Sequence, residues 1–382
     1  MRTVCVMTGS RAEYGLLRPV MRKIAESPSL RLQVVVAGMH LSQAFGRTVD
    51  LIEADGFPVD AKVDMLLAED SGGSMAKGVG IGIYGFAQCF DFLKPDVGLL
   101  LGDRVEPFAA AIAASFMSIV VAHIHGGDNA MGGFDEYMRP TVTRFSHLHF
   151  AATEASRWRL IRLGEREEFV FTVGAPGLDE AVATPLLERG ELAQVFGLPR
   201  ETPFLLVVQH PVSTEPENAS REMLETLEAL KMLALPTVLL YPNADAGGRA
   251  MIEVIKAYEH LPFLRIFKNL ERVQYLSLLA TAGALVGNSS SGIIESAHFK
   301  VPVVNLGTRQ QNRERSTNVL DAQHDRHAIV QAVRTALFDE TFREQVRTCV
   351  NPYGDGKASE RIVDVLSTVP IDGRLLHKRF LI

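Results

Sequence analysis

The chain has 382 residues, enough for two domains with hydrophobic cores of their own, and a formal net charge of −6 at pH 7. Both signs of charge are spread along it, which argues against an extended polyanion-binding surface and so against a nucleic acid partner. The three cysteines lack metal or disulfide spacing and the apolar runs are shorter than a membrane span, so we expect a cytoplasmic protein without a membrane anchor.

Short β-branched runs alternate with amphipathic helical segments, a pattern typical of parallel sheets covered by helices. Eleven strands are predicted: Val4–Thr8, Leu32–Ala37, Val97–Leu101, Ile119–His123, His149–Ala152, Val170–Val173, Phe204–Gln209, Thr237–Tyr241, Phe263–Phe267, Ala284–Val286 and Val301–Asn305. The expected fold class is α/β, with two Rossmann-like domains that face each other across a cleft. Ligands are then expected at the carboxyl ends of the strands.

The domain boundaries are predicted at 1–178 for the first domain and 179–365 for the second. Residues 66–80, rich in glycine, serine and methionine, are predicted to form a mobile loop that acts as a lid.

The first strand ends in Thr8–Glu13 (TGSRAE), which is not the GxGxxG fingerprint, so no nicotinamide cofactor is expected. Arg11 would lie at the start of a helix, where a cation opposes the helix dipole and needs an anion to compensate. We therefore predict that Arg11 binds phosphate, and the alternative is a solvated arginine.

Asp103 directly follows the buried strand Val97–Leu101. A partly desolvated carboxylate there suits acid–base chemistry, because burial raises its pKa. The alternative, equally supported by the sequence, is that Asp103 caps the next helix.

Residues 123–128 (HIHGGD) form the densest polar segment. His123 and His125 would share one face of a continuing strand, which allows a metal site, but no third ligand of the usual spacing follows. We favour a polar loop in which Asp128 and Asp135 offer carboxylates to a sugar. No metal is expected.

In the second half of the sequence, two predicted strands are each followed directly by polar residues. His210 follows a buried strand, and Pro211 stops the sheet there, so His210 is predicted to assist a leaving phosphate; a packed histidine is the alternative.

Residues 287–295 (GNSSSGIIE) join a strand to a helix, and small residues at a helix N-terminus suit an anion. We expect Ser289, Ser290, Ser291 and Gly292 to bind a nucleotide diphosphate and Glu295 to accept hydrogen bonds from a sugar diol.

Three arginines follow the strand Val301–Asn305. Arg309 and Arg313 are predicted to reach the phosphates. For Arg315, a solvated position in the loop is as good an interpretation as a phosphate contact.

These motifs, in this order, resemble the UDP-N-acetylglucosamine 2-epimerase family and most closely its hydrolysing branch, which serves sialic and legionaminic acid synthesis. The resemblance runs from residues 8–15 through 101–104, 123–127 and 134–136 to 287–295 and 307–310. The opening at 9–13 reads GSRAE, whereas the non-hydrolysing branch usually reads GTRPE. The hydrolysing branch usually has glutamate where this chain has Asp128, and the shorter side chain displaces that carboxylate.

The resemblance implies the two-domain architecture called GT-B, with the segment of about 366–382 packing back on the first domain. It makes Asp103, Asp128, Asp135 and His210 the catalytic candidates and adds Glu13 to the nucleotide-binding residues. The implied reaction needs no cofactor: a nucleotide sugar loses UDP to give a glycal, and water then adds with inversion at C2. The resemblance also implies a homodimer.

Two other functions remain open on the sequence, a GT-B glycosyltransferase and a catalytically silent nucleotide-sugar sensor. A non-hydrolysing 2-epimerase is a further alternative. The sequence leaves open whether the donor carries UDP or GDP, and whether its sugar is N-acetylglucosamine or 2,4-diacetamido-2,4,6-trideoxyglucose.

Overall fold

The computed structural model describes residues 1–43, 46–67, 72–129, 135–212, 215–242 and 247–378, together with the backbone but not the side chains of Asp135 and Glu136. The chain divides into two compact units. The first holds the described residues of Met1–Asn129, Phe134–Glu180 and Tyr353–Ile382, and the second those of Ala181–Pro352.

The first unit is built on a seven-stranded, fully parallel sheet. Its strands are β1 (Arg2–Thr8), β2 (Leu30–Ala37), β3 (Ala61–Val63), β4 (Val97–Leu101), β5 (Val120–Ile124), β6 (Leu148–Ala151) and β7 (Val170–Thr172). Their order in the sheet is β3-β2-β1-β4-β5-β6-β7. The order reverses between β1 and β4, so the ends of these two strands mark the switch point where α/β folds bind ligands.

The helices of the first unit cover the sheet and carry the polar loops of the site. They are α1 (Arg11–Glu26), α2 (Val49–Ala54), α3 (Gly72–Leu93), α4 (Val105–Phe116), α5 (Asp135–Phe145), α6 (Glu154–Arg162) and α7 (Pro176–Ala183), the last of which runs into the second unit. The strands are buried almost throughout, for example β4 and β5 over their whole length, as expected for a sheet covered on both faces.

The second unit has a six-stranded parallel sheet in the order β10-β9-β8-β11-β12-β13. Its strands are β8 (Leu205–Val208), β9 (Thr237–Leu240), β10 (Leu264–Phe267), β11 (Ala284–Gly287), β12 (Val303–Leu306) and β13 (Val319–Ala322). Its helices are α8 (Arg189–Phe196), α9 (Ala219–Leu233), α10 (Gly248–Lys256), α11 (Arg272–Thr281), α12 (Ser291–Ile294), α13 (Arg326–Phe338) and α14 (Glu340–Thr348).

The chain returns to the first unit from Tyr353 onward, with α15 (Ala358–Thr368) and α16 (Gly373–Leu376). Asp179 holds the start of α15 by accepting the backbone N–H groups of Ala358 (2.9 Å) and Ser359 (2.6 Å). Arg2 of β1 donates to the carbonyls of Leu366 and Val369. These contacts join both ends of the chain in one unit.

The predicted α/β class and the two Rossmann-like domains are confirmed, and all eleven predicted strands are present within a residue or two of their ends. Two strands were missed, β3 and β13, and both lie at a sheet edge. Edge strands are short and carry charged residues such as Lys62 and Asp321, so the buried β pattern is weak there.

The predicted lid at 66–80 is wrong for residues 72–80, which form the first turns of α3; residues 68–71 lie outside the described part of the chain. The glycines of α3 serve close packing instead. A Cβ on Gly78 would lie 2.7 Å from the Met65 carbonyl oxygen, and one on Gly85 would lie 2.7 Å from a methyl of Val63. Within the described residues, no helix has the length and apolar character needed to cross a bilayer.

Candidate active site

The loop between β1 and α1 places one arginine outside and one carboxylate inside. Ser10 caps α1, accepting from the Glu13 N–H at 3.4 Å. Arg11 is exposed, and its side chain has no hydrogen-bond partner among the described residues. Glu13 is 4% exposed and accepts the Gly9 N–H at 2.6 Å. Arg11 is thus available to an anion, whereas the contacts of Glu13 favour a role in shaping the loop.

A second buried glutamate lies next to Glu13. Glu106 is 2% exposed and receives Nε of Arg104 at 3.2 Å. Burial, together with the charge of Glu106, raises the pKa of Glu13 to about 8, against the lowering effect of the Gly9 N–H. Position 9 must be glycine here, because a Cβ would lie 2.4 Å from Cγ of Glu106. The β1–α1 loop therefore lies against two buried acids, of which Glu13 has a raised pKa.

Asp103 lies after β4 and forms an ion pair with Arg139 of α5. Both side chains are mostly buried, at 15% and 12% exposure. Arg139 also donates through Nη1 to the backbone carbonyl of His125 at 2.8 Å. One guanidinium thus connects the ends of β4 and β5 and fixes the position of the Asp103 carboxylate.

His125 and Asp128 form a second pair after β5. Nδ1 of His125 lies 2.8 Å from one carboxylate oxygen of Asp128, and the other oxygen accepts the Ser156 hydroxyl at 2.8 Å. Burial would raise the pKa of Asp128, but His125, Arg139 and Ser156 outweigh it and lower the pKa to about 2. Asp128 is therefore an ionised carboxylate with both oxygens in use.

His123 has a structural position. Its Nε2 lies 2.7 Å from the Gly102 carbonyl oxygen and its Nδ1 lies 3.2 Å from the Thr143 hydroxyl. The ring is fully buried, which lowers its pKa to about 3. Both nitrogens are occupied, so His123 and His125 do not share a ligand here. Among the described residues, no group of three histidine, cysteine or acidic side chains could hold a metal ion.

The predicted role of Asp135 falls on a side chain outside the described part of the structure. Its backbone begins α5, but its carboxylate is not described, and neither is that of Glu136.

Asn288, which follows β11, organises the polar end of the second sheet. Its side chain accepts the His210 N–H at 2.7 Å and donates to the His210 carbonyl at 2.9 Å. Its backbone carbonyl accepts Nη1 of Arg309 at 3.0 Å and Nε2 of Gln310 at 2.9 Å. His210 and Arg309, predicted separately, are therefore held by one residue within the second unit.

Glu295 is engaged by protein groups. One of its oxygens accepts from Arg272 and the other from the Ser291 hydroxyl, while Tyr275 donates to that hydroxyl at 2.7 Å. Glu295 is 7% exposed. A ligand diol would have to share the carboxylate with Arg272 or replace it.

The helix expected after the serines is a single turn, α12, so its dipole is small. Ser289 and Ser290 precede it and are half-buried, as is Arg313, and the Ser289 hydroxyl accepts the Ser291 N–H at 3.3 Å. Gly292 is buried, and a Cβ there would lie 3.0 Å from a methyl of Leu285. Arg315 is paired with Asp321 at 2.5 Å. Polar groups, more than a helix dipole, thus supply the anion-binding character of this turn.

Sequence reasoning missed four residues that organise these clusters: Arg139, Asn288, Arg272 and Tyr275. Asn288 was next to the serine run and had a readable signal, since an asparagine directly after a buried strand has no sheet partner. The other three come from helices remote in sequence, and only the fold brings them to the site.

The comparisons with known proteins agree on one family. The family model for UDP-N-acetylglucosamine 2-epimerase matches residues 22–367. A Legionella pneumophila protein, UDP-N,N'-diacetylbacillosamine 2-epimerase (hydrolyzing), is 42% identical over 99% of this chain and 98% of its own. A Campylobacter jejuni protein, GDP/UDP-N,N'-diacetylbacillosamine 2-epimerase (hydrolyzing), is 34% identical over 84% of each chain.

A solved structure has the same fold. It is that of a Neisseria meningitidis UDP-GlcNAc 2-epimerase bound to UDP-GlcNAc, with a TM-score of 0.82 and 19% identity over 96% of this chain and 99% of that one. Two parallel Rossmann-like sheets with polar groups at their carboxyl ends give the chain the fold called GT-B. The chain belongs to the UDP-N-acetylglucosamine 2-epimerase family, which confirms the resemblance found in its motifs.

Proposed function

We propose that this protein is a hydrolysing nucleotide-sugar 2-epimerase. Its donor would be UDP-2,4-diacetamido-2,4,6-trideoxyglucose, which is UDP-N,N'-diacetylbacillosamine, and its products the free manno-configured sugar and UDP. The observation that carries the proposal is the acid–base cluster after β4 and β5, where Asp103, Arg139, His125 and Asp128 are connected. The 42% identity over nearly the full length to a hydrolysing enzyme supports this donor over UDP-N-acetylglucosamine.

The chemistry explains why a sugar epimerase needs such a cluster. The proton on C2 is not next to a carbonyl, so a carboxylate alone cannot remove it at neutral pH. As the C1–O bond to the diphosphate breaks, positive charge develops at C1 and the C2 proton becomes acidic. Asp103 is the proposed base, because its ion pair with Arg139 fixes the position of the carboxylate.

The leaving diphosphate needs positive charge and hydrogen-bond donors. In the second unit we propose His210, Arg309, Arg313 and the serines at 289–291 for this role. The contacts of Asn288 support His210 and Arg309, and Glu295 and Gly292 belong to the same turn as the serines. In the first unit, Arg11 is a proposed anion-binding residue and Asp135 a proposed catalytic residue, while Glu13 shapes the loop that carries Arg11.

The test is incubation of the purified protein with four donors, the UDP and GDP forms of each of the two sugars, without any acceptor. We expect release of UDP and of the C2-inverted free sugar from the diacetamido donor, with deuterium at C2 in heavy water. A glycosyltransferase would release neither product without an acceptor. A non-hydrolysing epimerase would leave the inverted sugar linked to UDP, and either result would contradict the proposal.

A silent nucleotide-sugar sensor is separated by one substitution. Asp103→Asn should lower UDP release by at least ~100-fold while leaving UDP affinity, measured by calorimetry, within about twofold. The matched control is Asp364→Asn on the exposed face of α15, which should behave as the wild type. If Asp103→Asn retains full turnover, Asp103 is not the base.

We expect the free sugar to feed sialic or legionaminic acid synthesis, and the enzyme to act in the cytoplasm as a homodimer. The pathway and the homodimer rest on the resemblance to the hydrolysing branch, and the cytoplasmic location rests on the cysteine spacing and the short apolar runs. Size-exclusion chromatography with light scattering checks the dimer.

A further inference from the structure

Asp128 holds one imidazole nitrogen of His125 and leaves the other available. Nδ1 of His125 lies 2.8 Å from Asp128, while Nε2 has no hydrogen-bond partner among the residues that the structure describes. Asp128 is fixed in turn by the Ser156 hydroxyl, and Ser156 receives Nη2 of Arg159 at 3.0 Å. A carboxylate on Nδ1 sets the tautomer and orientation of a histidine that exchanges protons through Nε2.

The backbone of His125 supports a functional reading. Its φ is +63°, in the left-handed region that residues other than glycine rarely adopt, although glycines follow at 126 and 127. Its N–H donates to the Phe150 carbonyl at 3.0 Å and its carbonyl accepts from Arg139 at 2.8 Å. Strained backbone held by several hydrogen bonds is concentrated at functional sites.

We propose that His125 is the acid that delivers the new proton to C2 of the glycal, with Asp128 as its positioning residue. This inference rests on the proposed function and assigns a second acid–base group to it. Inversion at C2 requires that the proton leave from one face of the sugar and return to the other, so two groups must act. Asp103 suits removal, because its ion pair with Arg139 fixes the carboxylate just after β4.

Asp128 is poorly suited to be the second group itself. Its two oxygens are engaged by His125 and Ser156, and its pKa, lowered to about 2, leaves it without a proton near neutral pH. Histidine is the side chain that ordinarily gains and loses a proton in this range. With Nδ1 held by Asp128, Nε2 is the ring nitrogen of His125 from which a proton can be donated.

The steps balance. In the elimination, Asp103 takes the C2 proton, the C–H electron pair forms the C1–C2 double bond, and the C1–O pair leaves with UDP. In the hydration, Nε2–H of His125 protonates C2, water bonds to C1, and the water proton passes to solvent. Asp103 then releases its proton to solvent and His125 takes one back, so that the net reaction releases one proton with UDP.

The decisive variant is His125→Asn. Asparagine tolerates a positive φ and its amide can replace Nδ1–H toward Asp128, but it has no group at Nε2. The variant should still release UDP, now with the unsaturated glycal in place of the free manno sugar, whose formation falls at least ~100-fold. Given glycal and UDP, the wild type should make the free sugar and the variant should not.

Controls separate the possible failures. His327→Asn, an exposed histidine in the first turn of α13, should give wild-type products. Asp128→Asn should lower hydration more than UDP release, because it removes the carboxylate that positions Nδ1 of His125. If His125→Asn makes the free sugar within a few-fold of the wild type, or loses UDP release and hydration equally while binding UDP normally, the inference is wrong. A wild type that releases no nucleoside diphosphate would instead contradict the proposed function, and the inference with it.

Discussion

Glu13 shows how a single residue can lie beside a site and yet face away from solvent. It was assigned to nucleotide binding, but its carboxyl is buried, holds the Gly9 N–H and lies near Glu106. One of its oxygens, Oε1, is buried without a hydrogen-bond partner among the described residues. A proton on the Glu13 carboxyl removes its charge repulsion with Glu106. Because the folded state favours this protonated form, the free energy of unfolding depends on pH.

In the folded protein Glu13 keeps its proton up to its pKa of about 8, whereas in the unfolded chain the pKa is near the ordinary 4.5. The folded state binds more protons between these values, so this contribution to stability is complete below about pH 4.5 and is lost as the pH rises through about 8. Each pKa unit is worth about 1.4 kcal/mol.

Glu13→Gln should therefore reduce the fall in the free energy of unfolding between about pH 5 and pH 8.5 by more than ~1 kcal/mol. Urea unfolding at several pH values measures it. Glu360→Gln, at an exposed glutamate, is the control and should keep the wild-type slope. Equal slopes for Glu13→Gln and the wild type would show that Glu13 is ionised in the folded protein.

At the scale of elements, the β1–α1 junction depends on the close approach of α4 to the loop. Glu106, in the first turn of α4, occupies the space that a side chain at position 9 would need. Gly15, one turn into α1, has no atom within 4 Å of its missing Cβ apart from its own helix and chain neighbours. Position 9 thus has no room for a side chain, whereas position 15, a few residues on, has room for one.

Gly9→Ala should destabilise the protein by ~1–3 kcal/mol, because Glu106 Cβ and Cγ must move. Gly15→Ala should stabilise it by up to ~1 kcal/mol, since alanine is the better helix former and meets no obstacle. Urea unfolding of both variants against the wild type checks the pair. Similar effects of the two changes would argue against the packing of Glu106 on the loop.

At the scale of the whole molecule, the described residues from Tyr353 onward complete the first unit although they follow the second in the chain. Leu366 of α15 is fully buried in the same core as Val4, Leu17 and Leu99. The first unit therefore cannot bury its core until the C-terminal segment has been made.

Leu366→Ala should lower the free energy of unfolding by ~2–5 kcal/mol, the usual cost of a large buried cavity. Val350→Ala, at a residue that is 80% exposed, should change it by less than ~0.5 kcal/mol. Thermal and urea unfolding of both give the comparison. A small effect of Leu366→Ala would indicate that α15 is dispensable to this core.

The sequence by itself determined the fold class, the family and the strands that matter, because buried parallel strands are continuous apolar runs and their polar ends are visible in the chain. It also placed Asp103, Asp128 and His210 directly after such strands, where they are found. The tertiary structure alone decided how these groups are used. Arg139 reaches Asp103 from 36 residues away, and Arg272 reaches Glu295 from 23 residues away. Spacing along a chain carries no record of such contacts, which depend on how helices pack on a sheet.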